Sequence, residues 1–325
     1  MRELEILKKP LFWLFLFLVL VWSAVFSLPD QHLHLTFCDV GQGDATLISY
    51  QNEQILIDGG PDNQVLGCLS QKMPFWDRTI EMIVLTHPED DHFGGLIDVI
   101  KRYNVKQFVI NSVINDKPSF WDFYQTVLEE KAPIYSPKAG DKMESGPIHL
   151  SVLWPEEKLG SKEVWLGNTF FAHECFLEDE SRLSSGEKHK FAQNGCLAKP
   201  SVLGTAVYSG ELNETSIVLK LSFGHFCAFL TGDLPGKNED QLETVGPCQV
   251  LKVAHHGSKF STSEDFLKKI KPDLAVISVG KNNFGHPAWE TLKRLGDLGI
   301  KVLRTDEKGE IEIISDGGKW WLKAR

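Results

Sequence analysis

The sequence predicts a mixed α/β fold in which two β-sheets carry helices on their outer sides. Two observations lead to this prediction. Short apolar segments separated by glycine dominate the chain directly after its N-terminal apolar segment, which is typical of strands joined by tight turns. Strand-like and helix-like segments then alternate in two stretches, one before and one after a long polar region.

The elements before the polar region follow in order. Three successive strands with tight turns are predicted at "HLHLTFCDV", "DATLISY" and "NEQILIDGG". The apolar "IEMIVLT" predicts the next strand, and "GGLIDVIKRYN" has the helical spacing of Leu96, Ile97 and Ile100. A strand at "VKQFVINS", a helix at "FWDFYQTVLEEK" ending before Pro133, and a strand at "PIHLSVLWP" complete this half.

The second half repeats the alternation. "TSIVLKLSFGHFCAFLTGD" predicts a hairpin with Gly224 at its turn. The remaining segments predict, in order, a strand, a helix, a strand, a helix and closing small strands: "CQVLKVAHHGS", "SEDFLKKI", "PDLAVISVG", "PAWETLKRLGDLG" and the C-terminal tail.

The N-terminal segment predicts a membrane anchor. Residues 11–28 contain no charged side chain and follow three basic residues. This length just suffices to cross a bilayer as a helix, and the preceding positive charge predicts a cytoplasmic N-terminus. A cleaved signal peptide is the alternative, because small residues lie near the end of the segment. Residues 1–28 are therefore expected to be a single-pass anchor, or a signal peptide of a secreted protein, with residues 29–325 forming one domain outside the cytoplasm.

The region at about 156–212 is polar, rich in glycine and low in periodicity, which predicts an insertion into that domain. The six cysteines show no CxxC pattern, so a zinc ribbon is excluded. Cys38 and Cys227 lie in apolar strand-like segments and are interpreted as small core residues. Cys175 and Cys196 flank a polar segment and could pair in an oxidising compartment.

The segment "HPEDDHFGG", residues 87–95, concentrates charge and imidazole directly after an apolar strand. Pro88 makes continuation of the strand unfavourable, so a compact loop can direct His87, Asp91 and His92 at one point. Imidazole and carboxylate together suit zinc, manganese or iron. An acidic helix N-terminus is the alternative interpretation, because acidic side chains there complement the helix dipole.

Further polar residues follow other apolar strands. Asp58, Asp233, the pair His255 and His256, and finally His286 each come at or after a strand end. Folds of the α/β class gather their sites at the carboxyl ends of strands. Each residue alone could be a turn former, but their common placement favours a metal site.

These segments, in this order, resemble the metallo-β-lactamase-fold domain of ComEC-type DNA-uptake proteins. The resemblance runs from about residue 32 to the C-terminus, apart from the insertion, through "FCDVGQGDATLI", "ILIDGG", "LTHPEDDHFGGL", "NETSIVLKL", "FLTGD", "LKVAHHGS", "ISVGKNNFGHP" and "LRTDEKGEIEI". It implies an αββα sandwich with a metal site at one edge of the two sheets, here preceded by one hydrophobic helix.

The resemblance also implies roles for individual residues. The implied metal-binding residues are His87, Glu89, Asp91, His92, Asp233 and His255, with His286 as an alternative later ligand. Asp58 would brace the metal loop. Glu89 stands where the superfamily usually has a second His, and Asn213 stands near the place of a middle His. These departures remove imidazoles from the first metal position, so we expect one or two divalent ions, with manganese or magnesium plausible beside zinc.

The implied chemistry is metal-assisted hydrolysis. Asp91 would orient the attacking water or take its proton, and His256 or His286 would donate a proton to the leaving group. Ser258, Ser261 and Lys259 are candidate substrate contacts near a helix N-terminus.

The same region supports plainer interpretations. Ser261 and Glu264 also fit a capping box that begins a helix. Nearby lysines predict a basic surface that could bind a phosphate backbone. A solvated helix face explains these lysines equally well. They are Lys252, Lys259, Lys268, Lys269, Lys271 and Lys281.

The resemblance therefore implies a membrane-anchored phosphodiesterase or nuclease that acts on single-stranded DNA outside the cytoplasm during DNA uptake. A net charge of −10 excludes a generally basic surface, so DNA binding would depend on a local patch. The chain shows one hydrophobic segment and no multi-helix channel, so a separately encoded DNA-channel protein is an expected partner. The alternatives are a hydrolase of lactones or β-lactams, and a non-catalytic domain that has kept the fold.

Overall fold

The structure is a computed structural model of the 325-residue chain. It describes residues 10–26, 29–111, 113, 115–156, 211–242 and 246–324. Most of the predicted polar insertion, and with it the predicted pairing of Cys175 with Cys196, lies outside the described residues.

The predicted strands are found in the predicted order, together with four short strands that were not predicted, at Thr79–Ile80, Asn104–Val105, Ile134–Tyr135 and Lys142–Ser145. The first eight are β1 (Leu33–Phe37), β2 (Thr46–Tyr50), β3 (Glu53–Ile57), β4 (Thr79–Ile80), β5 (Met82–Leu85), β6 (Asn104–Val105), β7 (Phe108–Ile110) and β8 (Ile134–Tyr135). The others are β9 (Lys142–Ser145), β10 (Ile148–Trp154), β11 (Val218–Phe223), β12 (Phe226–Leu230), β13 (Val250–Lys252), β14 (Leu274–Ile277), β15 (Lys301–Arg304), β16 (Ile311–Ser315) and β17 (Trp320–Leu322).

These strands form two large mixed sheets. The first has the order β17-β16-β1-β2-β3-β5-β7-β8, antiparallel from β17 to β3 and parallel from β3 to β8. The second has the order β15-β14-β13-β12-β11-β10-β9, parallel from β12 to β15. The predicted hairpin is confirmed as β11 and β12, and Gly224 takes a φ of 58° at its turn. Strands β4 and β6 form a separate pair.

The described residues form nine α-helices, and several of them cover the outer faces of the sheets. They are α1 (Pro10–Phe26), α2 (Gln64–Lys72), α3 (Asp90–Phe93), α4 (Leu96–Ile100), α5 (Pro118–Glu130), α6 (Gly236–Glu239), α7 (Glu264–Ile270), α8 (Trp289–Asp297) and α9 (Thr305–Lys308), with 3₁₀ turns at Leu212–Thr215 and Ala254–Gly257. Helix α7 begins at Ser263, whose side chain accepts a hydrogen bond from the Phe266 amide. The predicted capping box at Ser261 and Glu264 is therefore wrong.

Three buried apolar clusters separate four layers, which confirms the αββα sandwich. The central cluster lies between the sheets and includes Leu35 of β1 and Leu219 of β11. The second packs the first sheet under α2, α4 and α5, with Phe123 fully buried. The third packs the other sheet under α7 and α8, with Phe266 fully buried. Each such side chain contributes about 1.5–3 kcal/mol through removal of apolar surface from water.

The N-terminal apolar segment forms α1, which has 17 residues. In the described part of the chain, no helix is both long enough and apolar enough to cross a membrane. The membrane span predicted over residues 11–28 is therefore not confirmed.

Two disulfide bonds join cysteines that the sequence did not pair. Cys38 after β1 is bonded to Cys68 in α2, and Cys227 in β12 is bonded to Cys248 before β13. Cys38 and Cys227 are buried in the core as expected, and each is also part of a disulfide bond that the sequence did not predict. Spacing alone does not reveal such pairs, because the fold brings the partners together across 30 and 21 positions.

Candidate metal centre

Polar residues from both sheets meet at one edge of the sandwich. In the first sheet, Asp58 follows β3, and the loop after β5 carries His87. In the second sheet, Asp233 follows β12 and His256 follows β13. This placement follows from the parallel strands, whose carboxyl ends point to the same edge.

Asp58 braces the metal loop through three hydrogen bonds. Its carboxylate accepts from the Thr86 amide, the Thr86 hydroxyl and His92 Nδ1, each at 2.8 Å. Burial raises the pKa of Asp58, and the attraction of His92 opposes that rise. Because each of these three groups donates a hydrogen bond to the Asp58 carboxylate, we place the proton between Asp58 and His92 on the His92 ring. A carboxylate that holds Nδ1 of an imidazole directs the other ring nitrogen at the site, as in many metal centres.

His256 is oriented in the same way from the second sheet. Its Nδ1 donates to the carbonyl oxygen of Ser278 at 2.9 Å, which turns Nε2 toward Asp91 at 3.2 Å and Asp233 at 3.4 Å. The 3₁₀ turn that carries it is unusual, because His255 and His256 have φ values of 51° and 52°. Non-glycine residues rarely adopt this conformation, and it is concentrated at functional sites.

Four buried residues offer ligand atoms within 4.8 Å of one another: Asp44, His92, Asp233 and His256. Several polar atoms in and beside this group are buried without a hydrogen-bond partner, which is costly unless another group binds them. These atoms are Asp44 Oδ1, His87 Nε2, His92 Nε2, Asp233 Oδ1 and His256 Nε2, whereas Asp44 Oδ2 contacts the Lys252 ammonium. The donor set of imidazole nitrogens and carboxylate oxygens therefore fits a divalent cation.

Electrostatic coupling within the group is strong. Burial alone would lower the pKa of His256, but the carboxylates of Asp233 and Asp44 outweigh it and raise this pKa to about 9. The pKa of His92 is likewise raised well above its usual value, against burial, by Asp233 and Asp58. Burial would raise the pKa of Asp233, yet His256 and His92 hold it well below its usual range. A bound cation would displace these imidazole protons.

The sequence led us to leave Asp44 out of the metal-binding residues and to misplace Lys252. Asp44 precedes β2, and its backbone amide donates to the carbonyl of Asp91 at 3.1 Å, so the turn in "DVGQGD" touches the metal loop. Lys252 ends β13 and is buried, with its ammonium bonded to Asp44, 2.8 Å from the Gly232 carbonyl and 3.6 Å from Asp233. Its assignment to an exposed basic track is wrong. A lysine inside an apolar strand, three residues before "HH", was the available signal.

The remaining residues of "HPEDDHFGG" surround this group. The His87 ring packs on the His92 ring with centroids 4.1 Å apart, and burial lowers the pKa of His87 strongly. Asp91 is partly exposed. Burial would raise the pKa of its carboxyl group, but the interaction with His256 holds this pKa well below the usual range. Glu89 is half-buried at the start of α3, and burial raises its pKa.

His255 and His286 lie on the open side of the centre. Their rings are 5.4 Å apart, and His255 Nε2 is 3.9 Å from Asp233 Oδ2. Burial lowers the pKa of both imidazoles. Asn213, in the 3₁₀ turn before β11, has its side-chain nitrogen 3.4 Å from His255 Nδ1. The structure thus places His256, and not His255, in the four-residue group, because the turn directs successive side chains in different directions.

The predicted substrate contacts divide into two kinds. Ser258 and Ser261 are buried, and Ser258 Oγ accepts from the Phe260 amide at 3.3 Å. Neither hydroxyl is exposed to a substrate, so both expectations are wrong. Lys259 is exposed, and its ammonium lies 5.0 Å from the centre of the Phe260 ring.

Comparisons with known proteins agree with this architecture. A family model described as the metallo-beta-lactamase superfamily matches residues 38–161. The chain is 29% identical over 296 residues to ComE operon protein 3 of Bacillus subtilis (strain 168), covering 84% of this chain and 32% of that protein. It is 26% identical over 295 residues to Competence protein ComA of Neisseria gonorrhoeae, covering 88% and 33%. The chain thus spans about a third of the length of these relatives.

A solved structure shares the fold. The metallo-beta-lactamase fold protein YhfI from Bacillus subtilis aligns with a TM-score of 0.50 and 9% identity, over 90% of this chain and 100% of that one. At this identity the likeness supports the fold alone. Fold and sequence comparisons together show that the chain has the metallo-β-lactamase fold and is similar in sequence to competence proteins.

Proposed function

We propose that this protein hydrolyses phosphodiesters with the help of a divalent metal ion, and that its substrate is DNA. The observation that carries the proposal is the buried group of Asp44, His92, Asp233 and His256, with ring nitrogens and carboxylate oxygens that have no hydrogen-bond partner. The fold and the relatives support the coarser statement, a metal-dependent hydrolase related to competence proteins.

The four residues of the group would hold the ion, with Asp91 and His87 beside them. Zinc and manganese both accept such a mixture of imidazole and carboxylate ligands. A bound divalent ion would supply activation of water and stabilisation of negative charge on the phosphate. Lys252 already places one fixed positive charge against Asp44, because both groups are buried and in contact.

The residues on the open side would handle the proton transfers. Asp91 is ionised at neutral pH and partly exposed, so its carboxylate can accept a hydrogen bond from the attacking water and orient it. His286 has a lowered pKa and is therefore neutral at pH 7, and its Nδ1 has no hydrogen-bond partner in the described part of the chain. A neutral imidazole first accepts a proton, so we assign to His286 the transfer of a proton from the attacking water to the leaving oxygen. His256 is a poorer proton donor, because Ser278 and the buried acids hold its ring in place.

DNA as the substrate is supported by the relationship to competence proteins. The chain itself is acidic, with a net charge of −10, so affinity for a phosphate backbone would come from a local surface. Lys259, three residues after His256, is one exposed cation on the loop that carries this histidine.

The test is hydrolysis of a labelled single-stranded oligonucleotide and of bis-p-nitrophenyl phosphate by the purified full chain. Activity is expected with Mn²⁺ or Zn²⁺ and not with chelator. His92→Ala should abolish activity, because it removes a ligand of the group. The matched control is His149→Ala, which alters an exposed imidazole of β10 and should leave activity unchanged.

The alternatives give different outcomes in the same assay. Turnover of a β-lactam or a lactone without phosphodiester hydrolysis would assign the protein to the other hydrolase class. Failure of the full chain to bind any divalent metal would favour a non-catalytic binding domain.

A position outside the cytoplasm is a second proposal, supported by the disulfides. Cys38–Cys68 and Cys227–Cys248 lie in the two halves of the sandwich, and such bonds persist mainly in oxidising compartments. Thiol alkylation before and after reduction, with protein isolated under trapping conditions, should label these cysteines only after reduction. Attachment to a membrane through the N-terminal helix, and a separately encoded DNA-channel partner, remain predictions for fractionation and co-purification to test.

A further inference from the structure

Three aromatic side chains are largely exposed on the segments that follow β13 and β14, which also carry His256 and His286. Phe260 is 74% exposed, Phe284 is 73% exposed and Trp289 is 69% exposed. Single exposed apolar residues are common on proteins. These three are different because Phe260 and Phe284 lie on two neighbouring loops that carry histidines of the site, and Trp289 begins helix α8 directly after the second loop. We call Phe260, Phe284 and Trp289 the aromatic rim.

The rim is continuous with the catalytic residues. The Phe284 ring stacks on the His286 ring with centroids 6.1 Å apart, and His286 in turn contacts His255. The two loops are joined where the Ala288 amide donates to the Gly257 carbonyl at 2.9 Å, next to Trp289. A molecule that stacks on Phe284 would therefore lie next to His286 and His255.

The backbone under the exposed rings is fixed. The Phe260 carbonyl accepts from the Gly236 amide at 2.8 Å, and the guanidinium of Arg294 donates to the preceding carbonyl at 3.3 Å. On the second loop, Asn282 Oδ1 accepts from the amides of Phe284 and His286 at 3.0 and 3.1 Å. The rings are thus displayed on an ordered surface, which reduces the entropy lost when a ligand stacks on them.

The charges beside the rim are suited to a polyanion. Lys259 lies over the Phe260 ring, and Lys281 is exposed at the start of the loop that carries Phe284. Glu290, next to Trp289, is the opposing charge. Aromatic rings interleaved with cations are the usual means of binding single-stranded nucleic acid, because every base presents a face for stacking.

We propose that the aromatic rim binds the unpaired bases of single-stranded nucleic acid by stacking, while Lys259 and Lys281 contact its phosphates and the strand leads into the metal centre. The inference rests on the proposed phosphodiesterase function and gives it a preference for single strands. Duplex DNA has its bases paired inside and cannot stack on the rim without opening.

The test is binding of fluorescent oligonucleotides by the metal-free full chain, followed by anisotropy. Phe260→Ala and Trp289→Ala are each expected to weaken binding of a 20-nucleotide poly-dT strand by about 5- to 150-fold, which is the range for loss of one stacked base. Phe75→Ala is the matched control, because Phe75 is 78% exposed on the segment between α2 and β4 and is expected to have no effect. Thermal unfolding checks that each variant is folded.

Two further probes separate stacking from charge. An abasic strand of the same length should bind the wild-type chain more weakly than poly-dT, and the rim substitutions should not weaken it further. Equal losses for poly-dT, abasic and duplex probes, or wild-type affinity in both rim variants, would overturn the proposal. Turnover of bis-p-nitrophenyl phosphate by the wild-type chain is measured in parallel. Its absence would count against the hydrolase function, whereas the binding series judges the rim independently.

Discussion

Replacement of Asp58 by Asn isolates the contribution of the residue that supports His92. The change keeps the size of the side chain but removes the negative charge. It also replaces one carboxylate oxygen by an NH₂ group, which cannot accept from His92 Nδ1 or from Thr86. Because Asp58 is 1% exposed, water cannot substitute for the lost acceptor.

The expected magnitude follows from these contacts. Breaking one partner of a buried charged pair costs about 3–5 kcal/mol, so the free energy of unfolding should fall by about that amount in the metal-free protein. Loss of an outer partner of a metal-binding imidazole typically lowers metal affinity by about 10- to 100-fold. Both effects are expected, since Asp58 holds His92 and the β3 and β5 strand ends together.

Urea denaturation measures the stability, and competition with a chromophoric chelator measures the metal affinity. Asp98→Asn is the matched control, because it removes an exposed carboxylate on α4 and should change neither value appreciably. A folded Asp58→Asn protein with wild-type metal affinity would refute the idea that Asp58 orients a metal ligand.

The other predictions concern the close approach of loops, a buried cation and a distant carboxylate. Gly43→Ala places a Cβ 2.4 Å from the carbonyl oxygen of Asp91 at a backbone φ of 147°, so the metal loop must shift. Metal affinity should therefore fall at least tenfold, as measured by chelator competition. An unchanged metal affinity would contradict the reasoning. Lys252→Met leaves Asp44 without its buried countercharge, and should lower the free energy of unfolding by about 3–5 kcal/mol. Added Mn²⁺ should raise the melting temperature of that variant more than that of the wild type; an equal rise would contradict the assigned role. For Glu312, burial would raise the pKa, but hydrogen bonds from neighbouring histidine and lysine side chains lower it to about 2. The stability that Glu312 contributes is therefore present above the pKa of the unfolded state and is lost as the pH falls toward 2. After allowance for solvent screening, acid should lower the free energy of unfolding of the wild type by about 1–2 kcal/mol more than that of Glu312→Gln. Parallel curves of stability against pH for the two proteins would contradict this.

Local sequence patterns predict the strand order, the hairpin at Gly224 and the layered fold. They succeed because strands buried on both faces, such as β5 and β14, are continuous apolar segments with a clear beginning and end. They also direct attention to the loop after β5, since charge and imidazole directly after such a strand are unusual.

The details of the centre depend on contacts that local patterns do not contain. Selection of His256 over His255 is decided by two positive φ values in one turn. Burial of Lys252 depends on its pairing with Asp44, which lies far away in the sequence. The disulfide Cys38–Cys68 likewise reflects the packing of α2 beside the end of β1.

The most direct measurement is the divalent metal content of the purified full chain, determined by elemental analysis after dialysis against Mn²⁺ or Zn²⁺. The account predicts at least one ion per chain in the wild type and in His149→Ala. It predicts that this ion is lost in Asp233→Asn, because Asp233 lies between His92 and His256. A folded wild-type chain that retains no ion, or an Asp233→Asn variant that retains it fully, would contradict the assignment of a metal centre to this edge of the sandwich.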